Sequence, residues 1–197
     1  AKARILADIG AGSPYVAAAS LAAMPNLTRA ILVDRANGMR HARSIADQNG
    51  IDLDRIEQLE QDFFKQVPPA DVYCISNTAH DWLPEEYSTL MTNVRDSIAP
   101  GGVICIHEPL LAATWNSAEE WVQALWMACY AMTLFRLTEG KGTCYTRAEH
   151  DMVMADNGFA PIGKPIPTSD GCTALFYGLA SEVPASHATE MQSMQQP

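Results

Sequence analysis

The sequence predicts an α/β fold with a mainly parallel sheet and helices on both of its faces. Three observations predict it. Short, continuously apolar runs alternate with helical stretches, the pattern of βαβ units whose strands are buried on both sides. A glycine turn links the first run to the first helix. An acidic or polar residue ends or follows nearly every run, which is more than a core alone requires. At 197 residues, 48% of them hydrophobic, the chain has the size of one domain and can bury most of the surface it would expose unfolded.

The elements follow in order. Ala3 to Asp8 reads as a buried strand, followed by Ile9-Gly10-Ala11-Gly12-Ser13 and an alanine-rich helix from about Tyr15 to Met24. Pro25-Asn26 breaks that helix, Arg29 to Asp34 is a second strand, and His41 to Asn49 is helical up to Gly50. Ile56 to Leu59 is a weaker strand leading to Gln61-Asp62-Phe63-Phe64, and Pro68-Pro69 turns the chain into a fourth strand, Asp71 to Ser76. Pro84 starts a helix with Glu85 and Glu86 in its first turn, which suits the helix dipole. It ends before Pro100-Gly101-Gly102, and Val103 to Glu108 is a fifth strand.

Ser117 to about Leu137 is a long apolar helix carrying Trp121, Trp126, Met127, Tyr130 and Met132, with Trp115 just ahead of it. Thr146 to Asn157 is a helix with Thr146 and Glu149 at capping-box spacing. Turns at Pro165 to Pro167 and Ser169-Asp170-Gly171 lead to a last strand, Cys172 to Ala180. Residues 1–180 are expected to form the domain, and 181–197 read as a polar tail.

Composition excludes several function classes. Twenty-three acidic against 13 basic residues give a net charge of -10, a surface that repels phosphate backbones, so no nucleic-acid partner is expected. No apolar run approaches the roughly 18 residues of a membrane span, so no membrane partner is expected either. The five cysteines are an odd set with irregular gaps and no zinc-ligand spacing, which points to reduced thiols, a cytoplasmic location and no metal.

In parallel sheets of this kind ligands bind beyond the carboxyl ends of the strands, so the chemistry is sought there. Asp8-Ile9-Gly10-Ala11-Gly12 follows a strand and opens a helix, as nucleotide loops do. The dinucleotide fingerprint needs a third glycine where Tyr15 stands. An adenosine ligand without a pyrophosphate fits better, S-adenosylmethionine foremost; a tight turn that binds nothing is the alternative. Asp8 could take the ligand's ammonium group, while Gly10 and Gly12 let the backbone approach it. Asp34 could accept both ribose hydroxyls or be a solvated strand end. Asp62 beside Phe63 offers an acceptor and an aromatic face to an adenine, with core packing as the alternative for Phe63 and Phe64.

Asn77-Thr78-Ala79-His80-Asp81-Trp82 follows the fourth strand directly. His80 is placed for proton transfer near neutral pH, or for a structural role, and Glu108 could orient it. His107 should point to the opposite face of its strand from Glu108. Trp126 and Tyr130, one helical turn apart, can share a face and, with Trp82, are candidate contacts for an acceptor with an aromatic or apolar part.

The order of Asp8-Ile9-Gly10-Ala11-Gly12-Ser13, Leu32-Val33-Asp34, Gln61-Asp62-Phe63-Phe64, His80-Asp81-Trp82, Pro100-Gly101-Gly102, Ile106-His107-Glu108 and Tyr145-Thr146-Arg147-Ala148-Glu149 resembles a known family. Over about residues 4–180 the chain looks like the catalytic domain of class I S-adenosylmethionine-dependent methyltransferases. The subgroup is that of small-molecule O-methyltransferases typified by caffeic acid, acetylserotonin and bacterial polyketide enzymes. The resemblance implies a seven-stranded Rossmann-like sheet with an antiparallel last strand. It implies a cofactor site of Asp8, Gly10, Gly12, Asp34, Asp62, Phe63 and Asn77, with S-adenosylhomocysteine as product. His80 would be the general base, with Glu108 and Glu149 the acidic positions near it, and a small molecule the acceptor. Relatives of this kind form homodimers through an N-terminal helical domain, which the resemblance does not find in this chain.

Three departures from the family pattern stand out: Pro14 in the glycine loop, Tyr145 where an arginine is common, and Ser76 where plant members carry a lysine. Two further readings compete with O-methylation. A thioether or thiol acceptor would make the chain an S-methyltransferase, with no need of a base in the thioether case, and loss of turnover would leave a domain that only binds the cofactor or its product. A nicotinamide-dependent oxidoreductase is disfavoured by Tyr15.

Overall fold

The computed structural model describes residues 3–184 apart from Ala113 and Trp115. The tail beyond residue 184 and Trp115, both singled out above, lie outside the described residues. Eight strands form one sheet: β1 (Ile5–Ile9), β2 (Arg29–Asp34), β3 (Ile56–Glu60), β4 (Ala70–Ser76), β5 (Ile98–Glu108), β6 (Phe159–Pro161), β7 (Ile166–Pro167) and β8 (Thr173–Leu179). Their order is β3-β2-β1-β4-β5-β8-β6, with β7 paired to β8 off that path. β1 to β5 pair in parallel and β8 runs antiparallel to β5, as the resemblance implied. The eighth strand is the two-residue β7, a pairing too short to leave any periodicity in sequence.

Five helices accompany the sheet: α1 (Tyr15–Ala23), α2 (Ala36–Asn49), α3 (Pro84–Ser97), α4 (Ala118–Leu137) and α5 (Arg147–Asp156). The strands alternate their side chains between two cores. Leu6, Leu32 and Ala30 pack with Ala17, Leu21, Met39 and Ala42 on the side of α1 and α2. Ala7, Ile9, Val33, Ile75, Ile104 and Ile106 pack with Tyr87, Leu90, Val94 and Met154 on the side of α3 and α5. Burial on both faces is why these strands read as unbroken apolar runs.

Two boundaries differ from the sequence expectation. Helix α2 begins at Ala36 rather than His41, because Gly38 in its first turn has no Cβ and the Asp34 carboxylate lies where one would be. Strand β5 begins at Ile98 and runs through Pro100-Gly101-Gly102, which turned out not to be a loop. Gly101 takes φ 73°, Gly102 has Asp71 O 2.9 Å from where a Cβ would sit, and the pairing with β4 shifts register between Ala70 and Val72. A bulge of this kind needs glycine.

Strand order reverses between β1 and β4, so a crevice opens at their carboxyl ends. The glycine loop, the turn after β4 and the end of β5 meet there.

Candidate active site

The chain leaves β4 through Asn77, which takes φ 49° and donates its N–H to His107 O at 3.0 Å. Asparagine tolerates that left-handed conformation better than most side chains. The sharp exit feeds a short 3-10 turn, Ala79–Asp81, and carries His80 over the end of β5. Glu108, the last residue of β5, is 1% exposed, and three donors satisfy it. Its Oε1 accepts from the N–H groups of Thr78 and Ala79, both at 2.8 Å, and its Oε2 lies 2.5 Å from His80 Nδ1. An ionised carboxylate can only accept, so Nδ1 carries the imidazole proton and Nε2 presents its lone pair.

Burial alone would push the His80 pKa down, but the hydrogen bond and charge of Glu108, with Asp81 Oδ1 3.6 Å from Nε2, outweigh it and hold the pKa above the usual value. The Tyr130 ring of α4 stands edge-on to the imidazole, centroids 6.0 Å apart.

The glycine loop is built beside this pair. Gly10 and Gly12 take φ 68° and 53°, conformations that suit glycine. Gly10 N donates to Val33 O at 2.8 Å, and Gly12 N donates to Asp34 Oδ2 at 2.9 Å. Thr78 locks the loop from below: its hydroxyl lies 3.3 Å from both Ile9 O and Gly10 O, and a Cβ on Gly10 would fall 2.5 Å from it. Beneath the loop Asp8 is buried, and its Oδ2 has no hydrogen-bond partner. Burial and then the charge of Asp34 push its carboxyl up to about 8.

Two openings lie against the segment that carries His80, while His80 itself, 4% exposed, lines neither. The smaller, about 140 Å³, is lined by Gly10, Asp34, Arg35, Phe63, Asn77, Thr78, Asp81 and Trp82. The larger, about 490 Å³, is lined by Asn77, Trp126, Met127 and Tyr130 on one side and Asp170 to Cys172 on the other. Asn77 borders both.

The structure thus brings together Gly10, Asp34, Phe63 and Asn77 around the smaller opening, with Gly12 and Asp8 in or under its loop. Asp62 stands next to it, with Oδ1 accepting the Phe64 N–H at 3.1 Å. Trp126 and Tyr130 share the larger cavity. Trp82 does not join them: it packs edge-on to Phe63 and Phe64 in the smaller opening, with the Arg35 guanidinium 5.6 Å above its ring. Glu149 is not brought to His80 either. It is exposed and closes the capping box of α5, its Oε2 accepting from Thr146 N at 2.7 Å and Thr146 Oγ1 at 2.8 Å. The capping spacing legible in sequence is the role the structure gives it.

Against this geometry, the sequence model of the O-methyltransferase domain matches residues 1–160. The chain belongs to that family. Its relatives are S-adenosylmethionine-dependent O-methyltransferases. The acetylserotonin O-methyltransferase of Mus musculus is 26% identical over 161 residues, 80% of this chain and 39% of that protein. The O-methyltransferase family 2 protein from Planctomyces limnophilus, solved in complex with apigenin, superposes with a TM-score of 0.75 at 28% identity, covering 88% of this chain and 50% of that one. Human N-acetylserotonin methyltransferase, solved with S-adenosylmethionine, shares the fold with a TM-score of 0.73 at 22% identity, over 89% of this chain and 47% of that one. The chain spans about two fifths to one half of the length of these three relatives.

Sequence reading passed over two residues of this O-methyltransferase domain. Thr78 ties the glycine loop to Glu108, and Arg35 covers Trp82. A threonine and an arginine in polar turns carry no signal of their own; only the strand order puts them at the crevice.

Proposed function

We propose that the domain, residues 1–180, transfers a methyl group from S-adenosylmethionine to a hydroxyl of a small molecule, with His80 as general base. The observation that carries the reading is the buried His80–Glu108 pair, three residues along the turn from Asn77, which borders both openings. Two features of the chain fit the cofactor. The orphaned Asp8 Oδ2 beneath the loop suits a ligand ammonium, and the loop's close approach is one that a side chain at Gly10 would fill. Asp8, Gly10, Gly12 and Asn77 would hold the methionine end, Asp34 the ribose, and Asp62 with Phe63 the adenine. Each Asp34 oxygen already accepts one backbone N–H and keeps a second lone pair for a ribose hydroxyl.

The cofactor supplies an activated methyl on a sulfonium, so the chain's residues need only position and deprotonate. Tyr130 and Trp126 orient an acceptor in the larger cavity, and alignment contributes much of the rate. His80 Nε2 would take the hydroxyl proton of the acceptor as its oxygen receives the methyl group that the sulfonium would supply. Glu108 stabilises the resulting imidazolium, and the proton then leaves to solvent. A thioether acceptor would have no use for a base paired in this way, which favours oxygen over sulfur.

Among the described residues no helix is long and apolar enough to cross a membrane. The free thiols of all five cysteines support a reducing, cytoplasmic setting. The exposed apolar face of α4, with Trp121, Val122 and Leu125, supports a homodimer. Calorimetric titration with S-adenosylhomocysteine, with NAD as control, tests the cofactor reading: saturable binding of the first alone is expected, and binding of neither would overturn it.

A further inference from the structure

At the wall of the larger cavity, a second cluster forms whose groups have no part in the proton transfer proposed above. His107 near the end of β5 meets Asp170 and Cys172 of the turn leading into β8, because the antiparallel pairing sets Glu108 opposite Thr173. One donor atom from each of the three lies within 4.8 Å of the others. We propose that His107, Asp170 and Cys172 form a binding site for a borderline divalent metal ion of the zinc type.

The donors are an imidazole nitrogen, a carboxylate oxygen and a thiol sulfur, a set that suits zinc and its neighbours and not magnesium or calcium. Bonds of about 2.0–2.3 Å to a tetrahedral ion place neighbouring donors roughly 3.5 Å apart, so the cluster has to close by little more than about an ångström. Asp170 sits on an exposed turn and can supply that movement. The surroundings orient the donors as outer-sphere partners do. Ser76 Oγ, 2.9 Å from His107 Nδ1, holds the ring so that Nε2 faces the cluster, 3.0 Å from the Thr168 hydroxyl that a metal ion would displace and 3.6 Å from Asp170 Oδ2. Asp170 Oδ1 accepts from the Thr168 hydroxyl at 2.6 Å and from Cys172 N–H at 3.1 Å, which leaves Oδ2 for a metal.

Binding releases the Cys172 thiol proton to solvent. Three protein ligands leave a fourth position, and it opens to the larger cavity, whose wall includes Asp170 and Cys172. Water, or an oxygen of a molecule held there, completes the shell. No short motif could reveal this site, since its ligands come from two distant segments joined by strand pairing.

The test is titration of the chain with Co2+, read by the thiolate-to-cobalt charge-transfer band, followed by displacement with Zn2+. One ion per chain is expected, with the band lost in Cys172→Ala and unchanged in Cys129→Ala, an exposed thiol of α4. Ser76→Ala should weaken binding about 10-fold or more. No band in the parent chain, or a band that survives Cys172→Ala, overturns the proposal. Where circular dichroism shows Cys172→Ala unfolded, Asp170→Asn on its exposed turn decides: it keeps the turn's Oδ1 acceptor, so affinity equal to the parent's overturns the site.

Discussion

His80 and Glu108 are joined by a 2.5 Å contact between Nδ1 and Oε2, with both side chains buried at the carboxyl edge of the sheet. Two backbone amides from the same short turn hold the carboxylate from the other side. The imidazole is thereby given a fixed counter-charge, and its proton a fixed place on Nδ1.

In Glu108→Gln the anion is gone while the burial remains, so the His80 pKa should fall below that of the parent. NMR titration of the imidazole ring protons reads it directly, and an unchanged value would sink the pairing. In a complete enzyme the base-limited limb of the pH–rate profile should move to lower pH in step, with the maximal rate reduced.

His80→Gln should lower turnover by about 10²–10⁴, the usual range for a general base, and leave S-adenosylhomocysteine affinity within a few-fold. The raised folded-state pKa also has a stability signature. Proton uptake by His80 stabilises the fold below its unfolded value of about 6.5, and this is lost as pH rises through the folded value. The variant should therefore lose more stability, relative to the parent, near pH 5 than near pH 9 in denaturant titrations.

Asp8 works in the same sense at lower pH. Its carboxyl is pushed up to about 8, so between the ordinary carboxylate range and pH 8 the fold holds a proton that the unfolded chain has released. Stability falls across that window by up to about 1.4 kcal/mol per pH unit. Asp8→Asn should remove this loss, giving a higher Tm than the parent at pH 8 and little difference near pH 4. The same variant should bind S-adenosylhomocysteine more weakly; unimpaired binding would remove Asp8 from the cofactor site.

Gly10→Ala and Gly12→Ala separate conformational strain from crowding. Both residues have positive φ, which costs an alanine about 1–2 kcal/mol, but only Gly10 has a neighbour, Thr78, within 2.5 Å of the added carbon. Gly10→Ala should be the more destabilising in urea and should abolish cofactor binding, whereas Gly12→Ala should weaken it. Equal effects would show that Thr78 yields.

Leu125 is 66% exposed on α4. Leu125→Glu should convert a dimer to a monomer in sedimentation, with little change in the melting of the domain. A parent chain that sediments as a monomer would refute the homodimer.

Much of this site was legible because parallel strands buried on both faces advertise themselves as apolar runs, and the ends of those runs are the crevice. Asp8, Asp34, His80 and Glu108 were found as strand-end polar residues. What could not be read depends on distance across the fold. Glu149 has the right residue type for a catalytic site, but its own capping box claims it. Trp82 follows His80 closely in sequence, yet the 3-10 turn sends its side chain to the smaller opening and leaves that of His80 buried. Helix α2 starts early because Gly38 makes room for Asp34, a packing fact between residues on different elements.

Helix α4 is fastened to the rest of the domain mainly where it meets the turn that carries His80, and most of its apolar residues face outward. Changes along it can reshape the wall opposite His80 while the sheet edge, the glycine loop and the paired base stay untouched. Under the proposed function, choice of acceptor and competence for transfer can therefore diverge independently, and a library confined to Gln123, Trp126, Met127 and Tyr130 is expected to retune one at little risk to the other.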